Sequence, residues 1–159
     1  FKKKTKFCTF IQRNPSCQHR NNFFNALNSR KKVDSAGIVL NNTGFLVENK
    51  LEFINDYKFN IAFENSRYPG YVTEKIFEPM LMGTIPLYWG SPTVNIEFNE
   101  KSFVNLNEMS IDEAVETVIQ LDENDDLYYE MYSQPFLADN KLNEWMDLEN
   151  LSNFLKTII

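Results

Sequence analysis

Cysteine, glycine, proline and histidine are all scarce in this chain of 159 residues, and each scarcity removes a class of function. The only two cysteines, Cys8 and Cys17, make no disulfide framework and have no metal-ligand neighbour in sequence beyond His19, so they read as buried thiols. No HExxH and no Cys-rich cluster occurs, and the sole histidine lies in no Ser- or Cys-nucleophile motif. Zinc chemistry and triad catalysis are therefore not expected, and no metal is assigned. Neither GxGxxG nor GxxxxGK[ST] is present, which removes the dinucleotide fingerprint and the P-loop. A basic balance is missing too: the formal net charge of -6 argues against a general nucleic-acid binder. No stretch is long and apolar enough to span a bilayer, and no signal peptide is legible.

What is there is core-forming. Hydrophobic residues make up 43% and aromatics 14%, a globular composition on a length that suits one domain. The basic runs "FKKKTKF" and "SRKKVD" and the acidic "LDENDDLYYE" read as solvated surface. With only 5 Gly and 6 Pro, each is expected to mark a definite turn or boundary.

Strands are predicted at "KFCTFIQ", "KFNIAF", "TIPLYW" and "KSFVNL", with "KKVDSAGIVLNNTG" a short strand or loop. Between them, "CQHRNNFFNALNSR" puts Phe23, Phe24 and Leu27 on one helical face with Arg20 near its start. "ENKLEFINDY" reads as a short helix, and Thr73 to Met82 as a longer one stopped by Gly83. Pro79 cannot donate to the Lys75 carbonyl, which predicts a kink there. "SIDEAVETVIQL" follows the helical period, with Ser110 and Glu113 forming a capping box. Alternating strands and helices predict an α/β fold with a Rossmann-like parallel sheet. Its core is expected over residues 1–124 and a helical tail over 125–159.

In such sheets ligands bind outside the carboxyl ends of the strands. Three loops should reach that edge: Asn14 to Arg20, Glu64 to Lys75, and Trp89 to Thr93. Lys75 falls in the first turn of a helix, where the dipole disfavours a cation unless an anion sits in front of it. Arg20 is a second candidate anion ligand, suited by its planar fork to a diphosphate. Tyr88 or Trp89 could lie near a base or simply in the core.

The blocks "YKFNIAFENS", "GYVTEKIFE", "GTIPLYWGSP" and "KSFVNL", with "RNNFFNALNSRKKVDSAG" upstream, resemble the α-1,3/4-fucosyltransferases of glycosyltransferase family ten, most closely bacterial members. The resemblance covers Lys6 to Leu106 well and the later residues loosely. It implies the C-terminal, donor-binding domain of a two-domain GT-B enzyme, with GDP-fucose as donor and no cofactor required. Arg20 and Lys75 would bind the diphosphate; Asn65, Tyr71, Thr73 and Glu74 would lie around fucose, ribose or phosphate, and Glu64 would support the loop. The implied reaction is inverting transfer of L-fucose to a hydroxyl of an N-acetylglucosamine- or glucose-containing glycan, α-1,3 linkage being favoured. The family's general base is a carboxylate of the N-terminal acceptor domain, so no catalytic residue is assigned here. This chain, as the donor half, is expected to be inactive or nearly so alone, with room for self-association through uncovered apolar surface. A non-catalytic GDP-sugar-binding module and a transferase using another GDP-sugar stand as alternatives. The composition and the want of a cysteine framework suit a cytoplasmic, membrane-peripheral bacterial enzyme.

Overall fold

The apolar run Tyr57–Phe63 forms the centre of the molecule because its side chains are buried on both faces of a sheet. The structure is a computed structural model that describes residues 4–141 together with 149, 152, 153 and 156. Its strands are β1 (Lys6–Phe10), β2 (Val33–Ser35), β3 (Tyr57–Phe63), β4 (Ile85–Trp89) and β5 (Val104–Asn105). They lie in the order β2-β1-β3-β4-β5, and every neighbouring pair is parallel. Parallel neighbours require crossovers, and helices supply most of them: α1 (Gln18–Arg30), α2 (Lys50–Ile54) and α3 (Glu74–Leu81). α4 (Ile111–Glu123) and α5 (Asp125–Tyr132) follow the sheet.

Strand alternation sorts the core into two layers. Phe59, Ile61 and Phe63 of β3 and Ile85 and Leu87 of β4 pack with Phe23, Phe24 and Leu27 of α1 and Val115 and Val118 of α4. Ala62 and Tyr88 point the other way, onto Ile76 and Met80 of α3 and onto Phe98 and Phe103. The expected α/β architecture is the one observed. The capping box of α4 is present in full, with Ser110 Oγ accepting from the Glu113 N–H and the Glu113 carboxylate accepting from the Ser110 N–H.

Some elements differ from the sequence reading. "KSFVNL" gives only a two-residue strand, because Glu100–Ser102 turns as a short 3₁₀ helix first, capped by Asn99. Pro79 does lie inside α3, which runs as helix from Glu74 to Leu81. Met80, Leu81 and the C-cap Met82 follow the proline before Gly83, at φ 59, ends the turn. α5 opens the expected helical tail and packs on the sheet: Tyr128 is buried in the main core with its ring against Phe59. Residues 133–141 follow with only a short 3₁₀ turn at Ala138–Asn140 where further helix was expected, and of the expected tail beyond Lys141 only residues 149, 152, 153 and 156 are described. No helix among the described residues is long and apolar enough to cross a membrane.

Candidate functional site

The strand order places the site. Between β1 and β3 the sheet reverses its winding direction, since β2 lies on one side of β1 and β3 on the other. Loops leaving the two strands diverge at such a switch point and open a crevice at the carboxyl edge. A hollow of about 410 Å³ lies there, within the roughly 300–1,000 Å³ of small-molecule sites. Ile11 to Asn14 line it after β1, Ala36 to Ile38 and Leu46 to Glu48 after β2, and Asn65, Glu74 and Lys75 after β3. Its wall is thus apolar on the Ile38–Val47 side and polar at the α3 entrance.

Gly37 explains how the β2 loop comes so close. A Cβ there would stand 2.4 Å from the Gln12 carbonyl oxygen, and the Val39 N–H donates to that same oxygen at 3.0 Å. Sequence reading missed Gln12, Ile38, Val47 and Glu48 as wall residues because this segment lacks periodicity. The glycine of "VDSAG" was the available signal, since close backbone approach is one of glycine's uses.

At the α3 entrance one carboxylate organises the polar side. Glu64 is fully buried at the end of β3. Its Oε1 accepts from the Thr73 N–H at 2.8 Å, and its Oε2 accepts from Lys75 Nζ at 3.1 Å. Thr73 Oγ1 lies within 2.9 Å of both carboxylate oxygens and accepts from Lys75 Nζ at 2.8 Å. Glu74 Oε1 also accepts from Lys75 Nζ, at 3.3 Å. Burial pulls the Lys75 ammonium down, but the charges and hydrogen bonds of Glu64 and Glu74 outweigh it and hold the group above its ordinary value. Burial pushes the Glu74 carboxyl up, and Lys75 more than reverses this, so Glu74 titrates below the usual range. The anion that a lysine at a helix entrance calls for is therefore already in the protein.

Arg20 is not on the wall. It is fully enclosed, with NH1 donating to the Phe63 carbonyl at 3.2 Å and to Asn65 Oδ1 at 3.0 Å, and NH2 donating to the Asn14 carbonyl. It stands one residue behind the hollow, tying the loop after β1 to the loop after β3. Burial lowers its pKa while the Glu64 charge works against that. Its Nε, also buried, has no acceptor among the described residues.

Of the predicted site residues, then, Asn65, Glu74 and Lys75 face the hollow, while Glu64, Thr73 and Arg20 support it from behind. Tyr71 lies away from the wall, stacked on Tyr68 with ring centroids 5.4 Å apart. The third loop braces the second instead of lining the cleft. The Gly70 N–H lies 3.1 Å from Ser91 Oγ and 3.2 Å from Thr93 Oγ1, and the Glu64 N–H donates to the Trp89 carbonyl. Tyr88 is a core residue whose Oη accepts from the Ser91 N–H, and Trp89 packs on His19 at 4.9 Å. Neither lines the hollow.

Gly90 makes room for this arrangement: an added Cβ would meet Glu64 Cγ at 2.5 Å and Tyr88 Oη at 2.6 Å. Gly90→Ala is expected to destabilise the fold by about 1–3 kcal/mol, the usual range for overpacking, and to displace Glu64. Thermal unfolding monitored by circular dichroism checks this; an unchanged melting temperature would show that the contact relaxes freely.

The comparisons with known proteins agree with this fold. The family model for the C-terminal part of glycosyltransferase family 10 (fucosyltransferase) matches residues 1–147. An α-(1,3)-fucosyltransferase, FucT, of Helicobacter pylori is 42% identical over 161 residues, covering 98% of this chain and 34% of its own length. A putative fucosyltransferase, R654, of Acanthamoeba polyphaga mimivirus is 32% identical over 164 residues, covering 95% of this chain and 27% of its own. A crystal structure of an α1,3-fucosyltransferase with GDP-fucose superposes with a TM-score of 0.88 at 39% identity, over 98% of this chain and 47% of that one. The chain thus spans about a third or less of the length of these two relatives. By the family match and by these identities, the chain belongs to glycosyltransferase family 10, the fucosyltransferases, within their C-terminal part.

Proposed function

We propose that this chain is the donor-binding part of an inverting fucosyltransferase that takes GDP-fucose and passes L-fucose to a hydroxyl of a glycan acceptor. The observation that carries the reading is the buried Glu64–Lys75 pair at the rim of a switch-point hollow, in a chain of this family. Relatives of two kinds support the donor more than the acceptor. An α-(1,3)-fucosyltransferase B of Drosophila melanogaster matches at 39% over 103 residues, and a human GDP-fucose protein O-fucosyltransferase 3 at 36% over 80 residues. Both are named for fucose transfer, and the human one is named for a protein recipient.

In this reading the diphosphate lies at the α3 entrance, against Lys75 and Asn65, and the nucleoside extends along the apolar Ile38–Val47 side. As the bond from fucose C1 to the β-phosphate oxygen breaks, negative charge collects on the leaving GDP. A cation fixed there stabilises the transition state more than the ground state. Lys75 supplies it directly. Arg20 adds a second positive charge from behind Asn65. The base that takes the acceptor proton comes from an acceptor-binding region beyond these residues, as in the family's two-domain GT-B arrangement. A cytoplasmic, membrane-peripheral setting goes with this reading.

Calorimetry of the chain with GDP, GDP-fucose, GDP-mannose and ADP tests it. Binding of GDP and GDP-fucose in preference to the other two is the expected result; no GDP binding at millimolar concentration would sink it. Fucose transfer on adding a family acceptor domain separates an enzyme part from a non-catalytic GDP-sugar module, which would stay silent.

A further inference from the structure

We propose that Glu64 is a positioning residue for phosphate recognition: its buried carboxylate occupies the entrance of α3 and aims the Lys75 ammonium at the hollow. The ammonium, and not the helix entrance itself, then meets the anion. This rests on the reading of the hollow as a nucleoside-diphosphate site.

A helix N-terminus is ordinarily an anion site, because its first N–H groups have no partner in the helix. Here Thr73, the N-cap of α3, makes no capping bond with its own side chain. Glu64 arrives from the end of β3 and takes both the Thr73 N–H and the Thr73 hydroxyl. A carboxylate already filling that position would repel a phosphate placed on the same N–H groups. Its other oxygen holds Lys75, whose side chain keeps 11% exposure toward the hollow while the Glu64 side chain has none.

The position of the ammonium is a balance between two carboxylates. Glu64 is buried and rigid, its backbone N–H bonded to the Trp89 carbonyl and its stem packed where a Gly90 Cβ would stand. Glu74, the competitor, has a side chain 53% exposed. Without Glu64, the charge partner left to Lys75 is the exposed one, and the ammonium follows it toward solvent. Charge arithmetic alone predicts the opposite consequence, since removing a negative group beside a phosphate site should strengthen anion binding. The two accounts therefore differ in sign.

The test uses Glu64→Gln and Glu64→Asp in the full chain, titrated with GDP and with guanosine, together with the ¹⁵N ammonium resonance of Lys75. Displacing the ammonium by about 1 Å is expected to weaken GDP binding roughly tenfold to a hundredfold in both variants. Guanosine affinity should stay unchanged, and the ammonium resonance should broaden away as its hydrogen exchange accelerates. Glu64→Asp keeps the charge and shortens the stem by one methylene, so its loss cannot be assigned to charge. Tighter GDP binding by Glu64→Gln would overturn the proposal and make Glu64 a mere counter-charge. Equal weakening of GDP and guanosine, in step with a lower melting temperature, would reduce Glu64 to scaffold and also overturn it. If the parent chain binds no GDP, the donor reading falls and the positioning role with it; if the parent binds GDP, an ammonium resonance that survives Glu64→Gln overturns the positioning role alone.

Discussion

Lys75→Ala is expected to remove measurable GDP binding and to lower the melting temperature, two losses with separate causes. The stability loss comes from Glu64. With its side chain wholly buried and its ammonium partner gone, that carboxylate keeps only Thr73 for compensation. Removing one member of a buried pair typically costs about 3–5 kcal/mol, and for a chain of this size each kcal/mol moves the melting temperature by roughly 2–4 °C. The binding loss comes from the phosphate. By analogy with donors that stabilise developing oxyanions, the missing cation should raise the barrier to fucose transfer by about 2.7–4 kcal/mol, or 10²–10³-fold in rate. Lys75→Ala combined with Glu64→Gln separates the two, since a buried amide carries no unpaired charge. The pair should melt close to the parent yet still fail to bind GDP. Recovery of GDP binding in the double variant would show that Lys75 serves only to neutralise Glu64. The pH dependence follows from the raised ammonium. Its contribution is complete below the ordinary value of 10.5 and is lost only as pH rises through the higher folded value. The ammonium's own contribution to the parent's stability should therefore be flat from about pH 6 to 9.

Much of this site was legible in the sequence, and the places where it was not are physical in origin. β1, β3 and β4 declared themselves because short apolar runs bounded by turn residues have few other uses in an α/β chain. Asn65, Glu74 and Lys75 followed, since what succeeds a buried parallel strand must emerge at the carboxyl edge. An ammonium at a helix entrance requires an anion, but one chain of letters does not say whether that anion is a ligand or a side chain from the preceding strand. Glu64 reads as a polar loop residue until the hydrogen bonds from Thr73 and Lys75 are seen. The β2 loop was opaque for a different reason. It is held by backbone contacts to Gln12 and by Asn42, which accepts from the Ser35 N–H and donates to the Val33 carbonyl, and neither leaves a hydrophobic period to read. Arg20 had a signal that was passed over. Positions 20, 23, 24 and 27 form one helical stripe, and a residue sharing the stripe of Phe23, Phe24 and Leu27 faces the core. An arginine there must find its acceptors inside the protein.

That burial makes Arg20 the second site of large expected effect. Its fork joins the carbonyl of Asn14, the carbonyl of Phe63 and the side chain of Asn65, so one side chain fastens the loops on the two sides of the switch point. Arg20→Ala removes a donor from the buried Phe63 carbonyl and from the partly exposed Asn14 carbonyl, and leaves a hole the size of a guanidinium. Charge-assisted bonds of this kind are worth about 1.5–3 kcal/mol each, and leaving acceptors unsatisfied adds to that. A loss of several kcal/mol is expected, and with it the hold on Asn65 at the wall of the hollow. Arg20→Lys distinguishes charge from geometry, because an ammonium restores the positive field but cannot span the same acceptors as a planar fork. The lysine variant is expected to fold and yet to show faster amide hydrogen exchange in two segments only, Asn14–Cys17 and Asn65–Tyr71, with GDP binding weakened alongside. If exchange in both loops and the affinity for GDP match the parent, positive charge behind Asn65 is all the site requires of Arg20. If exchange accelerates as expected, the switch-point hollow keeps its shape because a buried cation on α1 ties the ends of β1 and β3 together.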